Sequence, residues 1–313
     1  MGLPAISLRK IRALDLAGPS SERRPQHLSA ASGLAVSGRF LYVIADDELH
    51  LGEFPASAET PGRLIRLFRG ELPEKPKARK RRKPDLEALT LLPPCAGHPH
   101  GALLALGSGS RPNRRGGALL ALDARGKTAA AAQPCDLSGL LVPLEDRFAK
   151  LNIEGAVVLE RELCLLQRGN RDARQNALIR FPLSPLLHAL GCGLTLAALP
   201  PLAVHPVDLG EVDGVPLCFT DAAALPGGDL VFTAVAEDTG DNYHDGPCRA
   251  AAIGIVTRQG VVRRLHRLDH PHKVEGVHAT VSDDRIDLLL VTDDDDPEIA
   301  ACLYAARLAD YRG

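Results

Sequence analysis

The chain alternates short apolar runs with clusters of Gly, Pro, Asp and Asn, a pattern typical of β-strands joined by turns. Five of these runs begin alike, with an oxygen-bearing side chain, then a small residue, then an apolar stretch. They start at Ser32, Glu87, Glu154, Asp221 and Glu275. Successive copies lie 55, 67, 67 and 54 residues apart, which suits one four-stranded propeller blade with its loops.

Each copy is followed by further strand-like segments, such as FLYVIA, ELCLLQ and IDLLLVT after the first, third and fifth. The fifth copy reaches residue 313 without a fourth strand, and the N-terminal ISLRKIRALDL can supply it. Closing the ring in this way leaves no open sheet edge. The pattern therefore predicts an all-β protein, a five-bladed β-propeller closed by its N-terminal strand, with residues 1–313 as a single domain.

A basic run, KPKARKRRK at residues 75–83, lies between the first two copies. Like charges repel and seldom pack, so we expect a flexible, solvated loop at about 73–84. Such runs also occur as nucleic-acid patches or localisation signals, and this one could attract an anionic ligand.

Composition narrows the class of protein. Apolar residues make up 45% of the chain and the formal net charge is −2, so we expect a globular protein with no nucleic-acid and no membrane partner. The seven cysteines include no CxxC pair and the N-terminus lacks a long apolar segment, so a cytoplasmic location with reduced thiols is expected.

Cys95, His98 and His100 resemble an incomplete zinc site on the opposite face from the charged loops.

The five repeated side chains predict a ring around the propeller axis, because innermost strands line the central channel. Carboxylates that converge there repel one another, at about 4 kcal/mol for a pair roughly 4 Å apart in a medium of intermediate polarity. A hard cation would neutralise them, with Ca²⁺ favoured and Mg²⁺ as the second choice. The predicted ligands are Ser32, Glu87, Glu154, Asp221 and Glu275. In the alternative, these acids accept hydrogen bonds from backbone N–H groups and only hold the blades together.

The loops between second and third strands are polar and open on the face where first strands begin. Those of the second and third repeats are basic, and those of the other three are acidic. This split face suits an anionic, phosphorylated small molecule, because arginine binds phosphate oxygens in pairs. The predicted ligand-binding residues are Arg111, Arg114, Arg115, Arg168, Arg171, Arg174 and Lys273. A protein partner on the same charged face is the other interpretation.

Candidate acid–base groups are few. His270 and His272 precede the fifth inner strand, and His272 is the predicted general base. The chain has no GxSxG, Walker, Rossmann or HExxH motif, so hydrolysis would proceed by metal-assisted attack of water.

The segment SGLAVSGRFLYVIADDELHLGEF, residues 32–54, resembles the first blade of the calcium-dependent nucleotidases of the apyrase type. That resemblance implies a channel calcium held by Ser32, Glu87, Glu154 and Glu275. It also implies that Asp46 and Asp47 are acids of the catalytic face. Two departures are Thr220-Asp221 in place of a serine-like contact, and the lack of aromatic residues beside the acidic positions.

LEALTLLP, NIEGAVV and KVEGVHA also resemble bacterial propellers with recurring Glu-Gly inner strands. That group includes the esterase-like phytase proteins and an uncharacterised family.

Two functions follow from these patterns. The first is a divalent-metal-binding propeller that hydrolyses a phosphorylated small molecule. The second is a non-catalytic scaffold that binds a protein or small ligand on its charged face. A glycosidase or lectin is disfavoured, because sugar sites use aromatic platforms and this chain has no Trp.

Overall fold

Five antiparallel sheets, one for each repeat, form a closed ring in the computed structural model. The structure describes residues 3–57, 59–240, 246–309 and 311. The N-terminal strands are β1 (Ala5–Ile6) and β2 (Arg9–Ala13). Blade 1 contains β3 (Ala31–Ser37), β4 (Phe40–Ala45), β5 (His50–Pro55) and β6 (Arg63–Arg66). Blade 2 contains β7 (Leu86–Leu92), β8 (Ala102–Gly107), β9 (Gly116–Ala121) and β10 (Gln133–Asp136).

Blade 3 contains β11 (Ile153–Leu159), β12 (Glu162–Gln167), β13 (Asn176–Pro182) and β14 (Ala203–Val207). Blade 4 contains the short β15 (Glu211–Val212), β16 (Val215–Ala224), β17 (Leu230–Glu237), β18 (Cys248–Val256) and β19 (Val262–Leu268). Blade 5 contains β20 (Val274–Ser282), β21 (Arg285–Thr292) and β22 (Cys302–Leu308). The helices are α1 (Pro76–Arg82), α2 (Ser138–Glu145) and α3 (Leu183–Gly191), with 3-10 turns at Pro112–Arg114 and Pro226–Gly228.

The N-terminus closes the ring, as the sequence predicts. Strand β2 pairs with β22 in antiparallel register, from Arg9 opposite Ala305 to Ala13 opposite Cys302. The first and last strands of the chain therefore share blade 5. Strand β1 adds to blade 4 by parallel pairing with β19, a contact that the repeat pattern does not predict.

The core lies between blades, as five apolar clusters that each fill one interface between neighbouring sheets. Strand β12 shows how this works, because Leu163 and Leu165 pack towards blade 2 while Cys164 and Leu166 pack towards blade 4. A blade sheet is covered on both faces, so its strands are apolar at successive positions rather than at alternate ones. This explains segments such as ALLALG and ELCLLQ.

Inner strands approach each other closely at the small residue of each repeat. A Cβ added to Gly276 would lie 2.8 Å from the backbone nitrogen of Leu34 on the next inner strand. One added to Gly155 would lie 3.2 Å from the Cα atom of Asp221. Glycine therefore follows glutamate here because the neighbouring backbone occupies the space of a side chain.

We expect Gly276→Ala to lower the free energy of unfolding by about 1–3 kcal/mol, the usual cost of overpacking. Urea denaturation measures the change. Gly18→Ala is the control, because no atom lies within 4 Å of a Cβ added there, and it should stay within about 0.5 kcal/mol of the parent. Equal losses in the two variants would contradict the close approach.

The basic segment predicted as a flexible loop at about 73–84 instead contains helix α1. Arg79 is buried and donates to the backbone oxygen of Asp47 at 2.8 Å and to Glu48 at 3.1 Å. Lys83, just after the helix, contacts Asp46. Carboxylates of blade 1 thus neutralise part of the basic run and fix it over the ring, which the repulsion argument did not foresee.

No helix among the described residues is long and apolar enough to cross a membrane.

Candidate functional site

The inner strands share a β-bulge that places one side chain of each blade at the channel. In β11 the pairing passes from Ile153 to Gly155 and leaves Glu154 as the extra residue. The same shift leaves out Ser32, Glu87 and Glu275 in their strands. Bulges re-aim side chains at functional edges, and here they turn three glutamates and a serine towards one cavity.

In blade 4 the residue at the ring position is Thr220, one residue before the predicted Asp221. The register shift falls between Phe219 and Asp221, so Thr220 holds the position equivalent to the glutamates. Asp221 points towards blade 5, where Oδ2 accepts a hydrogen bond from the backbone nitrogen of Val277 at 2.9 Å. It does not line the cavity. Burial raises the pKa of Asp221 well above its usual range.

The two hydroxyl residues of the ring connect neighbouring blades. Ser32 donates to the backbone oxygen of Leu86 at 2.6 Å, and Thr220 donates to that of Val274 at 2.7 Å. Each acceptor directly precedes the bulged glutamate of the next blade. The hydroxyls therefore fix the inner strands relative to each other, while Ser32 also lines the cavity.

The cavity at the channel mouth has a volume of about 80 Å³. Among the described residues, eight acidic and five basic side chains line it. The acids are Asp46, Asp85, Glu87, Glu154, Glu237, Glu275, Asp293 and Asp295. The bases are Lys80, Lys83, Arg114, Arg168 and Lys273. Carboxylates thus exceed cations by three in this small volume.

Arg168 is the central cation of this group. Its guanidinium contacts Glu154 at 3.1 Å and lies 4.0 Å from Glu275, while its other terminal nitrogen bonds Glu237. Only 12% of the arginine side chain is exposed. Although burial disfavours its charge, the carboxylates raise the pKa of Arg168 well above its usual value, so it stays cationic. Asn152 donates a further bond to Glu154.

Lys273 contacts a second group of acids. Its ammonium lies 2.6 Å from Asp295, 3.8 Å from Asp293 and 3.8 Å from Glu275. Burial raises the pKa of Asp293 to about 8 despite this lysine. The Glu275 Oε1 atom is buried and has no hydrogen-bond partner among the described residues.

Asp46, Asp85 and Glu87 form a third group, whose carboxylate oxygens lie within 4.8 Å of one another and could hold a metal ion. Asp85 has a φ of 56°, a conformation that costs a non-glycine residue free energy. Lys83 at 2.9 Å and Arg114 at 2.7 Å keep it in place.

Glu87 differs from the other acids of the cavity. No hydrogen bond or ion pair within 4 Å reaches its carboxylate from the residues that the structure describes. Burial, followed by the neighbouring Glu154 and Asp85, raises the pKa of Glu87 well above its usual range. Glu87 is thus a half-buried carboxylate without a counter-ion of its own.

The predicted arginines divide into two sets. Arg114 and Arg168 line the cavity. Arg171 and Arg174 bind Asp238 at 2.7 Å and Glu211 at 2.8 Å, and Arg115 binds Glu145. Arg111 lies beside a neighbouring pocket with Arg115 and Lys150. Basic and acidic loops therefore pair with each other, which corrects the expectation of a split face with six converging arginines.

Two of the three predicted catalytic residues lie outside the cavity. Asp47 contacts Arg24 at 2.8 Å and Arg79 at 3.4 Å. The ring of His272 packs against Tyr304, with 5.0 Å between ring centroids. The adjacent Lys273 lines the cavity instead. Asp46 does line the cavity.

The sequence reasoning missed Asp85, Asn152, Glu237, Asp293 and Asp295. A signal for two of them was present. Asp85 and Asn152 each precede a ring glutamate by two residues, as Lys273 precedes Glu275.

Comparison with known proteins agrees with this fold. Residues 27–308 match a family described as a family of unknown function (DUF6929). The chain belongs to this family. No protein with a curated function matches it in sequence. The resemblances to apyrase-type nucleotidases and esterase-like phytases stay predictions.

Among solved structures, Myxococcus xanthus glutaminyl cyclase is similar in fold, with a TM-score of 0.52, 10% identity and coverage of 99% of this chain and 100% of that one. A luciferin-regenerating enzyme has a TM-score of 0.46 at 13% identity, covering 96% and 95% of the two chains. A Xanthomonas campestris gluconolactonase has a TM-score of 0.37 at 11% identity and 98% coverage of each chain. The likeness to the glutaminyl cyclase, at 10% identity, shows the fold and does not transfer an activity.

Proposed function

We propose that this chain binds one divalent cation at the mouth of its central channel, with Ca²⁺ preferred and Mg²⁺ as the second choice. The observation that carries the proposal is the surplus of three carboxylates over cations in a cavity of about 80 Å³. Buried charges need a counter-ion or a proton. A bound divalent ion would remove most of that surplus.

Glu87 belongs to the group with Asp46 and Asp85 whose carboxylate oxygens lie within 4.8 Å of one another, and the other ring residues Glu154, Glu275 and Ser32 line the same cavity. Glu87, Glu154 and Glu275 come from three blades, and Ser32 adds a hydroxyl from a fourth. An all-oxygen set favours hard cations. Ca²⁺ accepts six to eight oxygens in flexible arrangements, which suits ligands carried by separate blades with water in the remaining space.

The activity we propose for this site is hydrolysis of a phosphorylated small molecule. A bound cation would polarise the phosphoryl oxygen and lower the pKa of a water molecule. Arg114, Arg168 and Lys273 line the cavity and would oppose the charge of the anion, and Asp46 is the acid available to accept a proton. The volume of about 80 Å³ is far below the several hundred typical of ligand pockets, so only the phosphoryl end of a substrate would enter.

A panel of phosphomonoesters and phosphoanhydrides tests this activity. We expect turnover that requires Ca²⁺ or Mg²⁺, is abolished by a chelator and is lost in Glu154→Gln. Metal-loaded protein that turns over none of the panel would contradict the hydrolase proposal and leave metal binding intact.

The alternative function is a non-catalytic scaffold. The observation that favours it is that ion pairs join loops of neighbouring blades, as Arg171 and Asp238 do at 2.7 Å and Lys83 and Asp46 do. These contacts leave fewer arginines for a ligand. If the protein is a scaffold, removal of the metal lowers the melting temperature, and no phosphoester is consumed.

We expect calcium to stabilise the protein more strongly as the pH rises above the ordinary carboxyl pKa of about 4.5. Burial raises the pKa of Glu87, Glu154 and Glu275, so the metal-free cavity holds protons that the cation must displace. A raised carboxyl pKa contributes stability below the ordinary value near 4.5, and that contribution is lost as pH rises through the folded value. The metal-free protein therefore loses this contribution to its stability over the same pH range in which its affinity for calcium rises.

Differential scanning fluorimetry with calcium and with chelator measures the effect. Groups remote from the cavity are the same in both samples, so the difference between the two melting temperatures isolates the cavity. A difference that shrinks as pH rises would contradict the assignment of these carboxyl groups to the metal.

A further inference from the structure

The face of the ring opposite the channel cavity brings together two chain segments that are far apart in sequence. One is the connection between β7 and β8 of blade 2, which contains Cys95 and His98. The other is α3, in the connection between β13 and β14 of blade 3, which ends at Cys192. Both connections lie on this face because each joins strands at the end remote from the cavity.

Cys95 and His98 flank a tight turn. The backbone nitrogen of Cys95 donates to the oxygen of His98 at 3.1 Å, and the reverse bond measures 3.0 Å. The two residues form an isolated antiparallel bridge, so their side chains leave the same side of the turn. A Cys-x2-His turn of this kind is one half of a zinc-binding pattern.

His188 and Cys192 lie one helical turn apart at the end of α3. The Cys192 backbone nitrogen donates to the His188 oxygen at 3.1 Å, and Cys192 Sγ lies 4.0 Å from His188 Nδ1. Zinc bonds of about 2.3 Å to sulfur and 2.0 Å to nitrogen place two tetrahedral ligands about 3.5 Å apart. The pair is therefore close to the separation that one zinc ion requires.

The two halves are in direct backbone contact. A Cβ added to Gly97 in the turn would lie 2.8 Å from the oxygen of Gly191, and one added to Gly191 would lie 2.2 Å from the oxygen of Ala96. Residues that differ by almost a hundred positions thus meet where only glycine leaves enough room. This contact places the Cys-x2-His turn beside the His-x3-Cys helix end.

His98 supplies an independent observation. Its side chain is buried, with 5% of the residue exposed, and its Nδ1 atom has no hydrogen-bond partner among the described residues. A buried imidazole nitrogen without a partner is costly unless a proton donor or a metal satisfies it.

We propose that Cys95, His98, His188 and Cys192 form a zinc site that ties blade 2 to blade 3. Two sulfur and two imidazole ligands are the donor set of closed, tetrahedral structural zinc sites. Among the described residues, only Asp46, Asp85 and Glu87 have three ligand atoms within 4.8 Å of one another, so side chains of the four zinc residues must rotate to meet one ion; His188 and Cys192 are exposed. The ion belongs to a softer class than the channel cation, so the two sites select different metals.

Cobalt substitution under reducing conditions tests the proposal. Metal-free protein titrated with Co²⁺ is expected to bind one equivalent at this site, with the visible bands of tetrahedral cobalt and thiolate charge-transfer absorption. Zn²⁺ should displace the cobalt and remove both signals. Cys192→Ser and His188→Ala alter exposed side chains, so both variants should fold, and both should lose the charge-transfer band or its tetrahedral intensity. Cys218→Ser is the matched control, because this thiol lines the channel cavity, and it should leave the spectrum unchanged.

Three results would overturn the proposal. One is a wild-type spectrum without thiolate charge transfer. The second is a spectrum that survives in Cys192→Ser, or one that disappears in Cys218→Ser. The third is a disulfide between Cys95 and Cys192 that persists in protein prepared with reductant, detected as two missing thiols and the corresponding mass change.

Discussion

Glu154→Gln is expected to weaken calcium binding by at least about 100-fold, or roughly 2.7 kcal/mol. The substitution keeps the size of the side chain and removes one of the three ring carboxylates. An amide oxygen is a weaker ligand than a carboxylate, and the remaining surplus charge falls by one. Arg168 donates to Oε2 and Asn152 donates to Oε1, so the single amide oxygen of glutamine keeps one of these two hydrogen bonds. Isothermal titration of metal-free protein measures the affinity.

Two matched controls make this result specific. Asp221→Asn alters a buried carboxyl group that lies next to the ring but outside the cavity, and it should change calcium affinity by less than about twofold. Glu53→Gln alters a buried glutamate that contacts Arg63 at 2.7 Å far from the ring, and it should change stability without changing calcium affinity. If Asp221→Asn abolished binding while Glu154→Gln did not, the bulge register would be the wrong guide to the ligands.

Arg168→Met is expected to lower the free energy of unfolding of metal-free protein by about 3–5 kcal/mol, the usual cost of breaking a buried ion pair from one side. Methionine keeps most of the apolar stem, so the loss comes mainly from the charge. Glu154 and Glu237 would remain buried without the guanidinium that now bonds both. Saturating calcium should recover part of the loss, since the cation replaces some of the missing positive charge. Urea denaturation with chelator and with calcium gives both numbers.

Arg171→Ala provides the comparison from the same loop. Its side chain is 58% exposed and contacts Asp238 at 2.7 Å, so its loss should cost no more than about 1 kcal/mol and should not respond to calcium. Adding Glu237→Gln to Arg168→Met should recover stability by removing one uncompensated charge. A loss from Arg168→Met as small as that from Arg171→Ala would show that the cavity is not electrostatically strained.

Much of the fold could be predicted from sequence because the repeat is carried by local features. A small residue after an oxygen-bearing one marks each inner strand, and both faces of a blade are buried, so strands appear as unbroken apolar runs. Because the fifth repeat lacks a fourth strand, the N-terminal strand was predicted to complete blade 5. The pairing of Arg9 with Ala305 confirms this. Helix α1 was missed because its cations are neutralised by blade 1, which is distant in sequence.

The site was harder to predict, since it depends on register and on pairing between blades. A single-residue difference in bulge position separates Thr220 from Asp221, and spacing alone does not resolve it. The arginine loops could be recognised as charged, but only the folded ring shows that Arg171 meets Asp238 and Arg174 meets Glu211. The position of His272 could not be predicted, because it lies in the connection before β20, where no strand pattern fixes the direction of a side chain.

Calcium titration of metal-free protein by isothermal calorimetry determines whether the channel mouth binds a cation. We expect one site per chain, proton release that increases as the pH is lowered towards the carboxyl pKa values, and a matching rise in melting temperature. At a free calcium concentration 100 times the Kd, that rise corresponds to about 2.7 kcal/mol of added stability. Absence of binding heat for both Ca²⁺ and Mg²⁺, with a melting temperature that neither ion changes, would contradict it and leave the ring glutamates as structural groups that share protons.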